Sequence, residues 1–250
     1  MALNGKTAVV TGAALGIGRA ITEILVKNGA KVKYYFIQIR QQKMKGGNFR
    51  DRLCFLCNTF ASSALQTTAD TFGGIDIVCN NAGILNEGEW EKTVSINLLG
   101  VIRVTYLVLK HMNKLSGGRG GVVVNTASMA GLGPFLTCPA YSATKHGVVG
   151  FTRSMALASI VSDYGIHFNA VCPGFVQTDL MYNIPNNLGQ FSHLDIASRL
   201  LLLNCSLFFC FSPSVVAECV LELVTDERKN GDHLLVKSNQ KSYVTFPEVL

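Results

Sequence analysis

Short apolar runs alternate with longer stretches of helical period along this chain. Lys6-Thr7-Ala8-Val9-Val10 has the unbroken apolar character of a strand buried on both faces. The glycine-rich turn from Thr11 to Arg19 follows, then Ala20 to Lys27 in helical period, ending at Asn28-Gly29. The pattern predicts a second strand within Ala30 to Ile39 and a third over Leu53 to Cys57, closed by a turn at Asn58-Thr59. Ser62 to Phe72 reads as a modest helix stopped by Gly73-Gly74, and Ile75 to Cys79 as the fourth strand. Trp90 to Met112 reads as the longest helix. Its apolar positions, among them Ile96, Leu98, Val101, Val104 and Val108, suit packing on a sheet or on another subunit.

Gly121 to Asn125 is the fifth strand, a helix carries Tyr141 and runs through Ala158, and Gly165 to Val171 is the sixth strand. Tyr182 to Ile196 is polar without a clean period and suits a mobile substrate lid, which with its adjoining helix occupies about 182–212. Val215 to Val224 is helical after Pro213, and Leu234 to Val236 is the final strand. Strands alternating with helices throughout predict a doubly wound α/β fold. The expected architecture is one Rossmann-like domain over residues 1–250, a mostly parallel sheet with helices on both faces.

Composition narrows the picture. The 250 residues are 48% hydrophobic and 15% charged, which describes a folded chain with a sizeable core. Twenty-two basic against sixteen acidic residues leave a formal +6. The basic residues are scattered except between Arg40 and Arg52, and the aromatic residues do not interleave with a basic stripe, so a nucleic-acid partner is not expected. The twelve-residue apolar run from Leu200 to Phe211 is too short to span a bilayer and reads as a buried or interface helix. Eight cysteines in apolar segments, with only Cys54 and Cys57 in C-x-x-C spacing, read as small buried residues. The five histidines are not spaced for a metal. With no leader sequence apparent before the first strand, a reducing, cytoplasmic setting is the expectation.

Candidate chemistry follows the strands. In Thr11-Gly12-x-x-x-Gly16-x-Gly18, Gly12 permits a tight turn, Gly16 lets backbone approach a pyrophosphate, and Gly18 lets helix and strand pack closely. Amides at the helix start would bind the phosphates. An NAD site needs an acid at the end of the second strand, but Phe36 stands there, followed by Ile37, Gln38, Ile39 and Arg40. Arg40, Lys43 and Lys45 suit either the 2′-phosphate of NADP or a solvated loop. Asn80-Asn81-Ala82-Gly83 can hold backbone near an adenine ring or serve as a structural turn. Asn97, in an apolar helix, needs partners. It could hold a water near a lysine, or be a satisfied core amide.

Tyr141 and Lys145 lie four residues apart, on one helical face, with Ser128 thirteen residues before the tyrosine. The lysine charge should lower the tyrosine pKa toward a value useful for proton transfer. The hydroxyl of Ser128 could hold the oxygen being oxidised or reduced. Pro173-Gly174 ends a strand where open sheets bind ligands, and Thr178 could bond a nicotinamide carboxamide. Leu132, Phe135 and Phe175 give the expected cleft an apolar side.

In combination, these motifs resemble the short-chain dehydrogenase/reductase family over essentially the whole chain. Trp90 to Leu98, Ser142 to Ser154 and Cys172 to Val176 resemble its NAD-using members most. The resemblance implies transfer of a hydride between NAD and a secondary alcohol or ketone. Tyr141 would be the general acid/base, and Lys145 would lower its pKa and hold the nicotinamide ribose. Ser128 would orient the substrate oxygen, and Asn97 would support a proton relay through water and Lys145. Cofactor contacts would come from Gly12, Leu15, Gly16, Ile17, Gly18, Phe36, Asn58, Thr59, Asn81, Ala82, Gly83, Tyr141, Lys145, Pro173, Gly174, Val176 and Thr178. Substrate contacts would come from Ser128, Cys138, Tyr141 and Phe175. Relatives form dimers or tetramers through helices equivalent to Trp90–Met112 and Tyr141–Ala158. Three positions depart from the NAD-using pattern: Phe36 replaces an acid, Asn58 an aspartate, and Cys138 a glutamine. An NADP-dependent carbonyl reductase and a non-catalytic binding or storage protein are the alternatives.

Overall fold

Thr7–Thr11 (β1) is buried at all five positions, as befits a strand with a neighbour on each side and helices on both faces. Its side chains alternate between two cores, as the period of a strand requires. Ala8 and Val10 pack with Ile21, Leu25, Val216 and Leu223 on one face, and Val9 packs with Leu65, Val104, Val108 and Met112 on the other. The computed structural model describes residues 1–35, 58–194, 210–238 and 240–247. The readings placed on Phe36, on the basic loop after it and on Leu53 to Cys57 therefore lie outside the described residues. So does most of the run from Leu200 to Phe211.

The described helices are α1 (Gly16–Lys27), α2 (Asn58–Phe72), α3 (Trp90–Val94), α4 (Gly100–Met112), α5 (Pro139–Val161), α6 (Asp179–Tyr182) and α7 (Pro213–Thr225). The strands after β1 are β2 (Lys31–Tyr35), β3 (Ile77–Asn80), β4 (Gly121–Thr126), β5 (Ile166–Pro173), β6 (His233–Lys237) and β7 (Gln240–Tyr243). They form one sheet in the order β2-β1-β3-β4-β5-β6-β7, parallel except for β7. The fold is the single α/β domain expected, with α1 and α7 on one face and α2, α4 and α5 on the other.

Several boundaries differ from the sequence reading. Asn58 and Thr59 open helix α2 rather than forming a turn, since asparagine serves helix starts as readily as turns. The strand expected from Ile75 begins at Ile77, because Asp76 uses its buried carboxylate to accept from Thr7 N at 2.8 Å and to pair with Arg119. β7 carried no apolar alternation. Its four residues are exposed, and it is fastened by Tyr243, whose hydroxyl donates to Glu222 at 2.7 Å, and by an ion pair between Lys241 and Glu222. The stretch from Trp90 to Met112 is long and apolar enough to cross a membrane by length and composition, yet Val101, Val104, Val108 and Met112 are spent on the core. One π-type turn, Ser95–Leu99, interrupts it at Asn97.

Candidate active site

The neighbours of β1 are β2 on one side and β3 on the other, so the turns leaving β1 and β3 diverge at the carboxyl edge. A crevice at such a switch point is where open α/β sheets take ligands. Gly12 and Gly16 have φ of +67° and +53°, the region glycine enters without strain. A Cβ on Gly12 would stand 2.8 Å from Ala82 Cα, and one on Gly16 2.9 Å from Thr178 Cγ2. The turn therefore presents bare backbone. Leu15 caps α1 with no side chain, which leaves the first-turn amides open to an anion. Thr11 joins the two turns: its hydroxyl accepts from Asn81 N at 3.0 Å and from Ala82 N at 3.1 Å, while Asn81 Nδ2 donates to Thr11 O at 3.1 Å. The residues present fit a dinucleotide at its phosphate end.

The crevice widens into a cavity of about 740 Å³. Its wall brings together Gly12, Leu15, Gly16, Ile17, Asn81, Ala82, Gly83, Ser128, Tyr141, Lys145, Pro173, Gly174, Phe175, Val176 and Thr178, as expected. Leu85, Met129, Phe135, Leu180, Met181 and Ile184 make the outer part apolar. Gly18 lies beneath the turn, where its Cβ would stand 2.2 Å from Gly12 O.

At the inner end, α5 carries Tyr141 and Lys145, both buried, and Ser128 sits at the end of the loop from β4. Lys145 Nζ donates to Thr126 O at 2.7 Å and stands 5.6 Å from the centre of the Tyr141 ring. An ammonium has three donors, so that bond leaves Lys145 able to bind a sugar hydroxyl in the cavity. Burial pushes the Tyr141 phenol up to about 12, against a smaller lowering by its hydrogen bond with Ser128. The expected lowering by Lys145 does not prevail in this site. Burial also pushes Lys145 down, to about 8, which weakens the charge that would favour a phenolate.

Asn97 is fully buried and its amide is already engaged. Oδ1 accepts from Ile84 N at 2.8 Å, and Nδ2 donates to Ile84 O at 2.8 Å and to Thr144 Oγ1 at 3.3 Å. It fixes the chain after Gly83 against α5, and it is not among the residues of the cavity wall. Cys138 is likewise not on the cavity wall. It is the N-cap residue of α5, fully buried, with its thiol 3.6 Å from Thr137 Oγ1 and raised to about 11 by burial. Asn58 and Thr59 are exposed at the start of α2, away from the wall.

Sequence reasoning missed three supports. Thr11 was visible as the last residue of the strand before the glycines. Asn80 donates to Asn125 Oδ1 at 2.9 Å and to Thr105 Oγ1 at 3.2 Å, joining β3 to β4 and α4 below the crevice. Glu87, discussed below, sits in a loop with no motif of its own.

A glycine cradle at the switch point and a serine, tyrosine and lysine below it define an oxidoreductase that uses a nicotinamide dinucleotide on an alcohol or ketone. Residues 6–189 match the family described as short chain dehydrogenase, and the chain belongs to that family. It is 40% identical over 263 residues to 15-hydroxyprostaglandin dehydrogenase (NAD(+)) of Homo sapiens, covering 99% of this chain and 98% of the relative. It is 37% identical over 194 residues to the 3-oxoacyl-(acyl-carrier-protein) reductase FabG of Vibrio cholerae, covering 72% and 77%. The structure of levodione reductase superposes with a TM-score of 0.73 at 26% identity, covering 95% of this chain and 98% of that one. The chain is an enzyme of this family.

Proposed function

We propose that this enzyme oxidises a secondary alcohol carried on an apolar, lipid-like body, with NAD as cofactor. The observation that carries the reading is the Ser128, Tyr141 and Lys145 set, which lies at the inner end of a cavity whose outer wall is Leu85, Phe135, Phe175, Met181 and Ile184. With its phosphates held at the glycine turn, the cofactor would supply, through its nicotinamide, the acceptor for the substrate hydride. Ser128 Oγ holds the substrate oxygen beside the phenol. Tyr141 Oη takes the hydroxyl proton in oxidation and returns it in reduction. Lys145 Nζ, tethered by Thr126 O, lends its charge to the phenolate and binds the cofactor's sugar. Phe175 and its apolar neighbours exclude water and seat the body of the substrate. The human relative is named for 15-hydroxyprostaglandin, and a secondary alcohol on a long apolar chain suits this cavity too. Asn183, Ile184 and Asn187, in the described part of the segment read as a lid, line the cavity.

Titration calorimetry with NAD+, NADH, NADP+ and NADPH, followed by turnover on short polar and long apolar secondary alcohols, tests the reading. We expect NAD(H) to bind at least tenfold more tightly and long alcohols to be preferred. Preference for NADP(H) would make the enzyme a carbonyl reductase, and turnover of short alcohols alone would refute the lipid-like substrate.

Self-association belongs to the same reading. Trp90, Leu99 and Tyr106 from α3 to α4, and Leu157, Ile160 and Val161 on α5, are exposed apolar side chains on the two helices named above. Sedimentation should give a dimer or tetramer, and a monomer at micromolar concentration would contradict this. Cys79, Cys138, Cys172, Cys210 and Cys219 are free thiols, which suits a reducing, cytoplasmic setting.

A further inference from the structure

We infer that Glu87 is a positioning residue that ties the wall of the substrate cavity to the backbone of Tyr141, an inference that rests on the acid/base reading of Tyr141. Helix α5 begins without a cap of its own. Cys138 makes no side-chain capping bond, and Pro139 has no N–H. The next two donors, Ala140 N and Tyr141 N, would be orphans of the first turn. Both are taken by one carboxylate from more than fifty residues away. Glu87 Oε2 accepts from Ala140 N at 3.1 Å and Oε1 accepts from Tyr141 N at 2.9 Å. The residue is 5% exposed, so its charge is held by these two charge-assisted bonds and by the positive end of α5.

The other side of Glu87 faces the segment over the cavity. Its backbone N–H donates to Asn187 O at 2.8 Å. Gly189 packs so closely that a Cβ there would stand 2.6 Å from Gly88 N and 2.9 Å from Glu87 C. Ile184 and Asn187 line the cavity, and Leu85, Leu188 and Tyr141 share one apolar cluster with Ile184. A substrate seated against Ile184 and Asn187 thus bears on the chain at Glu87, and the carboxylate carries that position to the amide of the residue that moves the proton. A carboxylate is required because two neighbouring N–H groups need two acceptors. A glutamine offers one acceptor and turns an NH2 toward the other N–H.

The test is Glu87→Gln assayed with NAD and a long apolar secondary alcohol, well below its melting temperature, beside Tyr141→Phe. We expect kcat to fall about tenfold from a sub-ångström displacement of Tyr141, with KM and the Kd for NAD within about twofold of wild type. Glu87→Asp, which keeps both acceptors, should recover part of the lost kcat. If Glu87→Gln does not fold, Gly189→Ala disturbs the same link from the cavity side and should lower kcat with NAD affinity unchanged. A lowered melting temperature with wild-type kcat in the variant that folds would make Glu87 a stabilising cap and overturn the inference. Turnover in Tyr141→Phe would instead overturn the acid/base reading, and this inference with it. An inactive Tyr141→Phe beside a fully active Glu87→Gln overturns the inference alone.

Discussion

Tyr141→Phe is expected to lower kcat by about a thousandfold or more, within the range general acid–base catalysis supplies, while the Kd for NAD stays within about twofold. The variant removes one oxygen. The ring stays packed beside Leu85, Ala130 and Ile184, so the melting temperature should hold and any lost activity belongs to the proton. The pH profile gives a second readout. Burial pushes the phenol up to about 12, so oxidation should quicken as pH rises and the phenolate becomes easier to reach. Lys145 loses its charge through about 8, which withdraws support from the phenolate, and the rise should flatten above that pH. A Tyr141→Phe enzyme with wild-type turnover would refute the proposed role, and a wild-type rate that falls from pH 6 to 8 would refute its sign.

Gly18→Ala should be the most damaging single methyl in the molecule's binding edge. Its Cβ would stand 2.2 Å from Gly12 O and 2.5 Å from Asn81 Nδ2. The first is backbone of the turn and the second is the amide that bonds Thr11 O, so neither can yield without opening the crevice. Overpacking of this kind costs about 3 kcal/mol, which for a chain of this length lowers the melting temperature by roughly 6–12 °C. Displacing the turn should also weaken NAD binding by at least tenfold. Thermal denaturation and calorimetry on the same sample check both effects. Unchanged values would mean that α1 can slide along β1 and that the close approach is not needed.

Much of this enzyme was legible because its signals are local. The glycines at 12, 16 and 18, the Tyr141 and Lys145 pair one turn apart, and the apolar strands β1, β3 and β4 each follow from backbone sterics or side-chain period within a few residues. The family resemblance rests on the same short motifs. β7 was not legible, because an exposed polar edge strand has no period and depends on Glu222 for its hold. Cys138 was a substrate contact only by the resemblance, in which it replaces a glutamine, and at the helix N-cap its thiol turns toward Thr137.

By itself, the sequence determined the doubly wound fold and the nucleotide turn, and it put Tyr141 and Lys145, the proposed proton-transfer pair, one helical turn apart, since spacing within one segment already places those groups. Only the tertiary structure decided how that set is supported. Asn97 spends its amide on Ile84, Thr126 tethers Lys145, and Glu87 caps the helix of Tyr141. Burial also sets Tyr141 and Lys145 moving in opposite directions from their ordinary pKa values. Hydrogen bonds between distant segments and the removal of water around a charge depend on which surfaces meet, and no period or spacing within one segment encodes that meeting.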